Sequence, residues 1–158
     1  MNAFSASASN LGSIITDLAH AGAKNFLVPN LPDVGLLHPL AAQHNAALST
    51  VLDNLDHTLA VNLTRFDVNA LFNAVIADAG NGGHVFGLTN VSFPCFDGRN
   101  VCADPSSFLF WDTVHPTAAG HQIIGAAAFA QLAVPLPAGI WLLASAFATI
   151  NVARRRRM

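Results

Sequence analysis

Ala23-Lys24-Asn25-Phe26-Leu27-Val28-Pro29 is the stretch whose reading decides the fold. Three consecutive apolar residues closed by a proline suit a short strand buried on both faces, as in a parallel sheet. Upstream, Leu11, Ile14, Ile15 and Leu18 recur at helical spacing and Gly22 is a plausible stop, which predicts a helix over residues 10–22. Downstream, residues 30–35 are turn-rich. A helix follows from about Ala41 to Leu59, with Leu48, Val51, Leu52, Leu55 and Leu59 on one stripe. Residues 61–68 alternate like a strand, residues 69–79 read as a third helix, and Gly80-Asn81-Gly82-Gly83 ends it. Residues 84–111 show little periodicity. A fourth helix is predicted from Pro116, a favoured first helical position, to about Leu132. Alternating helices and strands imply an α/β fold with a parallel sheet. Two strands alone make a poor sheet, which raises the expectation that the chain is the C-terminal part of a larger domain.

Of the 158 residues, 53% are hydrophobic and 10% charged, an apolar balance to which the last twenty-five residues contribute. Charge is segregated. Lys24, Arg65 and Arg99 face nine aspartates before residue 154, a net of −6, whereas Arg154 to Arg157 carry +4. Phosphate binding needs clustered basic residues on the folded surface, so the acidic body argues against nucleic acid as a partner. The first ten residues have neither a basic n-region nor an apolar h-region and do not form a secretory signal.

The strongest chemical signal is Asp112-Thr113-Val114-His115. An aspartate three residues before a histidine, on a loop entering a helix, can accept a hydrogen bond from Nδ1. That bond fixes the tautomer and leaves Nε2 free to take a proton from a nucleophile. Phe110 and Trp111 are expected to shield the pair from water. By spacing alone the pattern is common, and a capping aspartate beside a structural histidine fits it too. Cys95 and Cys102, with six residues between them, read as a disulfide worth roughly 2–2.5 kcal/mol; two free thiols in a reducing compartment are the alternative. His20, His38, His44, His57, His84 and His121 are scattered without a matching ligand set, so no metal is expected and no other cofactor is implied.

Phe110-Trp111-Asp112-Thr113-Val114-His115-Pro116-Thr117, followed by His121, resembles the last signature block of the SGNH/GDSL esterase and lipase family. Residues 25–35 resemble the strand and loop after that family's third block, and Phe86-Gly87-Leu88-Thr89-Asn90 with Cys95 and Cys102 its cysteine-bearing connection. The resemblance spans roughly residues 10–132. It implies a three-layer SGNH-hydrolase-like fold over residues 1–133, a carboxylic ester as substrate, His115 as general base and Asp112 as its orienter. The family's Gly-Asp-Ser and Gly-x-Asn-Asp segments have no counterpart here, and none of the serines sits in a nucleophile motif. The resemblance therefore implies part of a serine ester hydrolase, inactive by itself. A non-catalytic envelope protein derived from an esterase is the alternative.

Val134-Pro135-Leu136-Pro137-Ala138, an apolar run from Gly139 to Ile150 and Arg154 to Arg157 make a three-part pattern. It resembles a PEP-CTERM-type sorting signal of the Val-Pro-Leu-Pro-Ala variety. That likeness implies a C-terminal hydrophobic helix in residues 134–158, contact with a membrane through residues 138–157, exosortase-type processing machinery as partner, and an exported, envelope-associated protein. The run is shorter than the ~20 residues that span a bilayer comfortably, but local thinning and snorkelling arginines can accommodate it. The arginines would remain cytoplasmic. Fused to an exported reporter, residues 134–158 should bring it to the membrane fraction; a freely soluble reporter would sink the reading.

Overall fold

A computed structural model describes residues 3–33 and 40–132. The expected hydrophobic helix and arginine end in residues 134–158 lie outside the described residues, as do Val34, Gly35 and His38. In order come α1 (Ala3–His20), β1 (Asn25–Pro29), α2 (Leu40–Thr58), β2 (Asn62–Phe66), α3 (Val68–Gly80), a 3-10 turn at Pro105–Ser107 and α4 (Ala118–Gln131). Among the described residues, no helix is long and apolar enough to cross a membrane.

β1 and β2 pair in parallel, from Asn25 opposite Asn62 to Pro29 opposite Phe66. Side chains alternate across a strand, and here both faces are used. Phe26, Val28 and Leu63 join Ala8 and Ile15 of α1 and Leu48, Leu52 and Leu55 of α2 in one apolar cluster. Leu27 and Phe66 join Val68, Phe72 and Val75 of α3, Leu88 and Leu109 of the long connection, and Ile123 and Ile124 of α4 in another. The result is a layer of helices on each side of a small parallel sheet, in line with the α/β reading. Arg65 on β2 also bonds Asp53 at 2.7 Å and Asp56 at 2.5 Å on α2. These groups are substantially exposed, so the ion pairs orient the helix more than they stabilise it.

Two helix starts differ from expectation. α1 begins at Ala3 rather than near residue 10. Its alternating alanines and serines carry no apolar stripe to read, yet Ala8 is wholly buried against the first cluster. Gly12 permits the close approach of α2: a Cβ there would lie 2.6 Å from Val51 Cγ1. α4 begins at Ala118 rather than Pro116, because Thr117 is the residue that caps it. A threonine hydroxyl can accept from an orphan N–H of the first turn, which a proline ring cannot.

The connection after α3 is fastened at several points. The Asp78 carboxylate accepts the backbone N–H groups of Val85 (3.1 Å) and Phe86 (2.9 Å). Gly83 has φ +69°, and a Cβ there would sit 2.3 Å from the Leu88 carbonyl oxygen, so glycine is required. Asn90 and Phe108 form a parallel bridge. Phe72, 2% exposed within the second cluster, marks how much the core contributes. Phe72→Ala should cost about 3–5 kcal/mol, whereas Phe129→Ala, at a side chain 74% exposed, should change stability by less than about 0.5 kcal/mol. Urea unfolding followed by circular dichroism measures both.

Candidate active site

The Asp112–His115 loop is clamped at its base before either side chain is considered. The Trp111 N–H donates to the His115 carbonyl at 2.8 Å, and Phe110 and Pro116 form an antiparallel bridge. Pro116 is thus part of the loop's closure instead of the helix. Thr117 then joins loop to helix. Its hydroxyl donates to the Phe108 carbonyl at 2.6 Å and accepts from the Gly120 N–H at 3.1 Å, while its own N–H donates to the Leu109 carbonyl at 2.9 Å. Gly120 keeps the helix close beneath the loop, since a Cβ there would stand 2.8 Å from Leu109 O and 2.9 Å from Pro116 Cβ.

Within this frame the Asp112 carboxylate serves two functions. Oδ1 accepts the backbone N–H groups of Val114 (2.8 Å) and His115 (2.7 Å), which is the local turn chemistry of aspartate. Oδ2 lies 2.8 Å from His115 Nδ1, and Oδ1 lies 3.0 Å from it. A carboxylate can only accept, so Nδ1 carries a proton, and in the neutral imidazole Nε2 is then the nitrogen with the lone pair. The backbone N–H groups of His115 and Val114, then the His115 side chain, hold the Asp112 carboxyl at about 2, below the usual carboxylate range. The structure therefore brings together the two residues singled out from the sequence.

It does not supply the expected shield. Phe110 packs against Phe72 with ring centroids 6.0 Å apart, and Trp111 stacks on Phe96 at 5.7 Å. The His115 side chain is left 74% exposed and that of Asp112 36%. Both aromatic rings are drawn to other rings, so within the described residues the pair meets water. Thr117 as cap and Phe96 as Trp111's partner were the site-supporting residues absent from the sequence reading. The cap was detectable from a threonine directly before Ala118-Ala119; the stack, across fifteen residues of irregular chain, had no local signal.

The other candidates fall into supporting places. His121 Nδ1 donates to the Thr117 carbonyl at 2.9 Å, one turn along α4 from its cap. Cys95 and Cys102 are joined in a disulfide that closes a short hairpin. Ser106 and Ser107 bond to Asp104, and the Ser13 hydroxyl donates to the Ser9 carbonyl, so these serines fasten local backbone. A groove of about 570 Å³ between α1 and α2, lined by Ser9, Ser13, Thr16 and Asn54 among others, includes neither Asp112 nor His115. Among the described residues no three histidine, cysteine or acidic side chains converge where they could hold a metal ion.

The chain's sequence matches the family described as GDSL-like Lipase/Acylhydrolase over residues 1–128. It belongs to that family. A GDSL esterase/lipase of Arabidopsis thaliana is 34% identical over 100 residues, covering 56% of this chain and 28% of that protein. A second from the same plant is 30% identical over 105 residues, covering 58% and 26%. The thermolabile hemolysin of Vibrio parahaemolyticus is 29% identical over 136 residues, covering 68% and 32%. The matches thus span about a quarter to a third of the length of these curated relatives.

The depressed carboxyl of Asp112 has a defined pH signature. Its folded value lies below its unfolded one, so its contribution to the loop is present above the unfolded value near 4 and lost as pH falls through about 2. A carboxyl-carbon NMR titration should place the Asp112 midpoint near 2; a midpoint near 4 would mean that the loop hydrogen bonds do not form in solution.

Proposed function

We propose that this chain contributes the general base His115 and its orienter Asp112 to a Ser-His-Asp ester hydrolase whose nucleophilic serine lies outside these 158 residues. The observation that carries the reading is the bond between Asp112 Oδ2 and His115 Nδ1 at 2.8 Å. It leaves Nε2 as the basic nitrogen on a ring that is largely exposed. A serine Oγ brought to Nε2 would pass its proton there as it attacks the ester carbonyl. The imidazolium, stabilised by ionised Asp112, then returns a proton to the departing alcohol, and water resolves the acyl-enzyme by the reverse exchange. Family membership supports an ester as the substrate class. Support for a nucleophile elsewhere comes from the sequence, which contains no Gly-Asp-Ser or Gly-x-Ser-x-Gly segment.

The same proposal extends to place. Residues 1–133 would be the hydrolase portion, and residues 134–158 a PEP-CTERM-type sorting signal, read by exosortase-type machinery, that delivers the protein to the cell envelope. Its support is the Val-Pro-Leu-Pro-Ala segment, apolar run and four arginines in that order.

The test is hydrolysis of a p-nitrophenyl ester. The 158-residue chain alone should be inactive, and turnover by it that His115→Ala abolishes would overturn the missing-nucleophile reading. Joined to the Gly-Asp-Ser-bearing part of a relative, the chain should turn over ester. His115→Ala should then lower the rate by about 10²–10⁴-fold, the range for loss of a positioned base. An equal rate in that variant would reject His115 as base.

A further inference from the structure

The Asp112–His115 loop is exposed, so its geometry needs a support that does not come from burial. Residues 110–111 sit between two partners. On one side Trp111 and Phe110 close the loop onto His115 and Pro116. On the other, the Cys95 N–H donates to the Phe110 carbonyl at 2.9 Å and the Phe96 N–H to the Trp111 carbonyl at 2.7 Å. The Phe96 ring lies nearly parallel to the Trp111 indole, 15° between planes at 5.7 Å. Phe96 belongs to a hairpin that is itself over-determined: it bridges Val101, Cys102 N–H donates to the Cys95 carbonyl at 2.6 Å, and the disulfide closes the ends. At the tip, Asp97 Oδ1 accepts the N–H groups of Arg99 and Asn100, and Gly98 takes φ +95°.

We propose that this disulfide-closed hairpin, acting through Phe96 stacked on Trp111, is the positioning element that holds Asp112 against His115. The stack and the two backbone bonds fix the Trp111 peptide, Trp111 closes the loop on the His115 carbonyl, and the closed loop aims the backbone N–H groups of Val114 and His115 at Asp112 Oδ1. With Oδ1 so held, Oδ2 faces Nδ1. Opening the hairpin frees Trp111 and lets the carboxylate swing away, so pairing of base and orienter follows the redox state of Cys95 and Cys102. Phe96 and the two cysteines are positioning residues, distant from the reacting atoms in role. The importance of the coupling rests on the ester-hydrolase reading, but its detection does not.

The experiment uses the full chain, isotopically labelled and observed by NMR without turnover. Long-range nitrogen correlations from the ring protons report the His115 tautomer, and the carboxyl carbon reports Asp112. His121, with Nδ1 on the Thr117 carbonyl, is the internal reference. A dithiol reductant gives the disulfide two electrons and two protons, yielding two thiols and its own disulfide. On reduction the Asp112 midpoint should rise from about 2 toward the ordinary value near 3.9, and His115 should lose its fixed Nδ1–H tautomer while His121 keeps its own. Phe96→Leu with the disulfide intact should move Asp112 and His115 the same way, and Phe96→Trp, which restores a stacking ring, should not. Unchanged signals in the reduced protein and in Phe96→Leu overturn the proposal. So does a response to reduction with none to Phe96→Leu, because the stack is the stated link. If reduction unfolds the chain, seen as loss of the His121 signature, the Phe96 pair of variants decides alone. Absence of His115-dependent turnover in the joined protein would reject the function while leaving these signals intact, so the two failures are distinguishable.

Discussion

The helical layers are arranged around five residues of β1 paired in parallel with five of β2. Parallel strands need a crossover, and α2 supplies it. Because both faces of the pair are apolar, helices have to cover both, and α1 with α2 on one side and α3 with α4 on the other do so. The crossover direction then places both strand ends on one edge. There Asn30 Nδ2 donates to Asp67 Oδ1 at 2.8 Å, and Asn30 Oδ1 accepts from the Asn69 N–H at 3.0 Å. Asp67 Oδ1 also caps α3 through the Ala70 N–H at 2.8 Å. A single polar network thus starts one helix and joins the exits of two strands.

The loop bearing Asp112 and His115 is built on a different economy. It has almost no burial of its own, so hydrophobic stabilisation contributes little to its shape. Directional bonds take over: a backbone clamp at its base, a carboxylate filling the turn, and a threonine that both caps α4 and grips the Phe108 carbonyl nine residues earlier in the connection. Net hydrogen-bond energies are modest, about 0.5–1.5 kcal/mol each and more when a charge takes part. Several acting on five residues narrow the arrangements of a short loop, and the backbone bonds and ring stack from the Cys95–Cys102 hairpin to Phe110 and Trp111 add to them.

What could be read from the sequence follows the same division. Stripes such as Leu48, Leu52 and Leu55 on α2 and the run Phe26-Leu27-Val28 were legible because burial imposes periods of 3.6 and 2 on the residues that face a core. Asp112 and His115 were legible because the segment from Phe110 to Thr117 resembles a family signature block; their three-residue spacing alone is too common to single them out. The start of α1 was not, since Ala8 is buried by packing against α2 and alanine carries almost no periodic signal. Pro116 misled the reading of α4 because a proline fits both a first helical turn and the extended bridge it makes with Phe110. The shielding assigned to Trp111 failed for a non-local reason: Phe96, brought close by the disulfide-closed hairpin, offers the indole a better surface than the exposed imidazole does.

In the proposed triad the orienter and the base lie three residues apart in sequence. An orienting aspartate remote in sequence from its histidine depends on the whole domain to bring them together. Here the two sit in one four-residue turn, and the carboxylate that orients the imidazole also fastens the backbone carrying it. Moving the carboxylate away from Nδ1 therefore means giving up the two N–H bonds to Oδ1 as well, so tautomer and loop shape are set together. Preorganisation of this sort is what a base needs before a nucleophile arrives, because the cost of orientation is met in folding rather than in the reaction. In the proposed ester hydrolase, His115 and Asp112 would form a half-site carried by one short loop, and the nucleophile and oxyanion donors, which must meet at one carbonyl, would be brought against it.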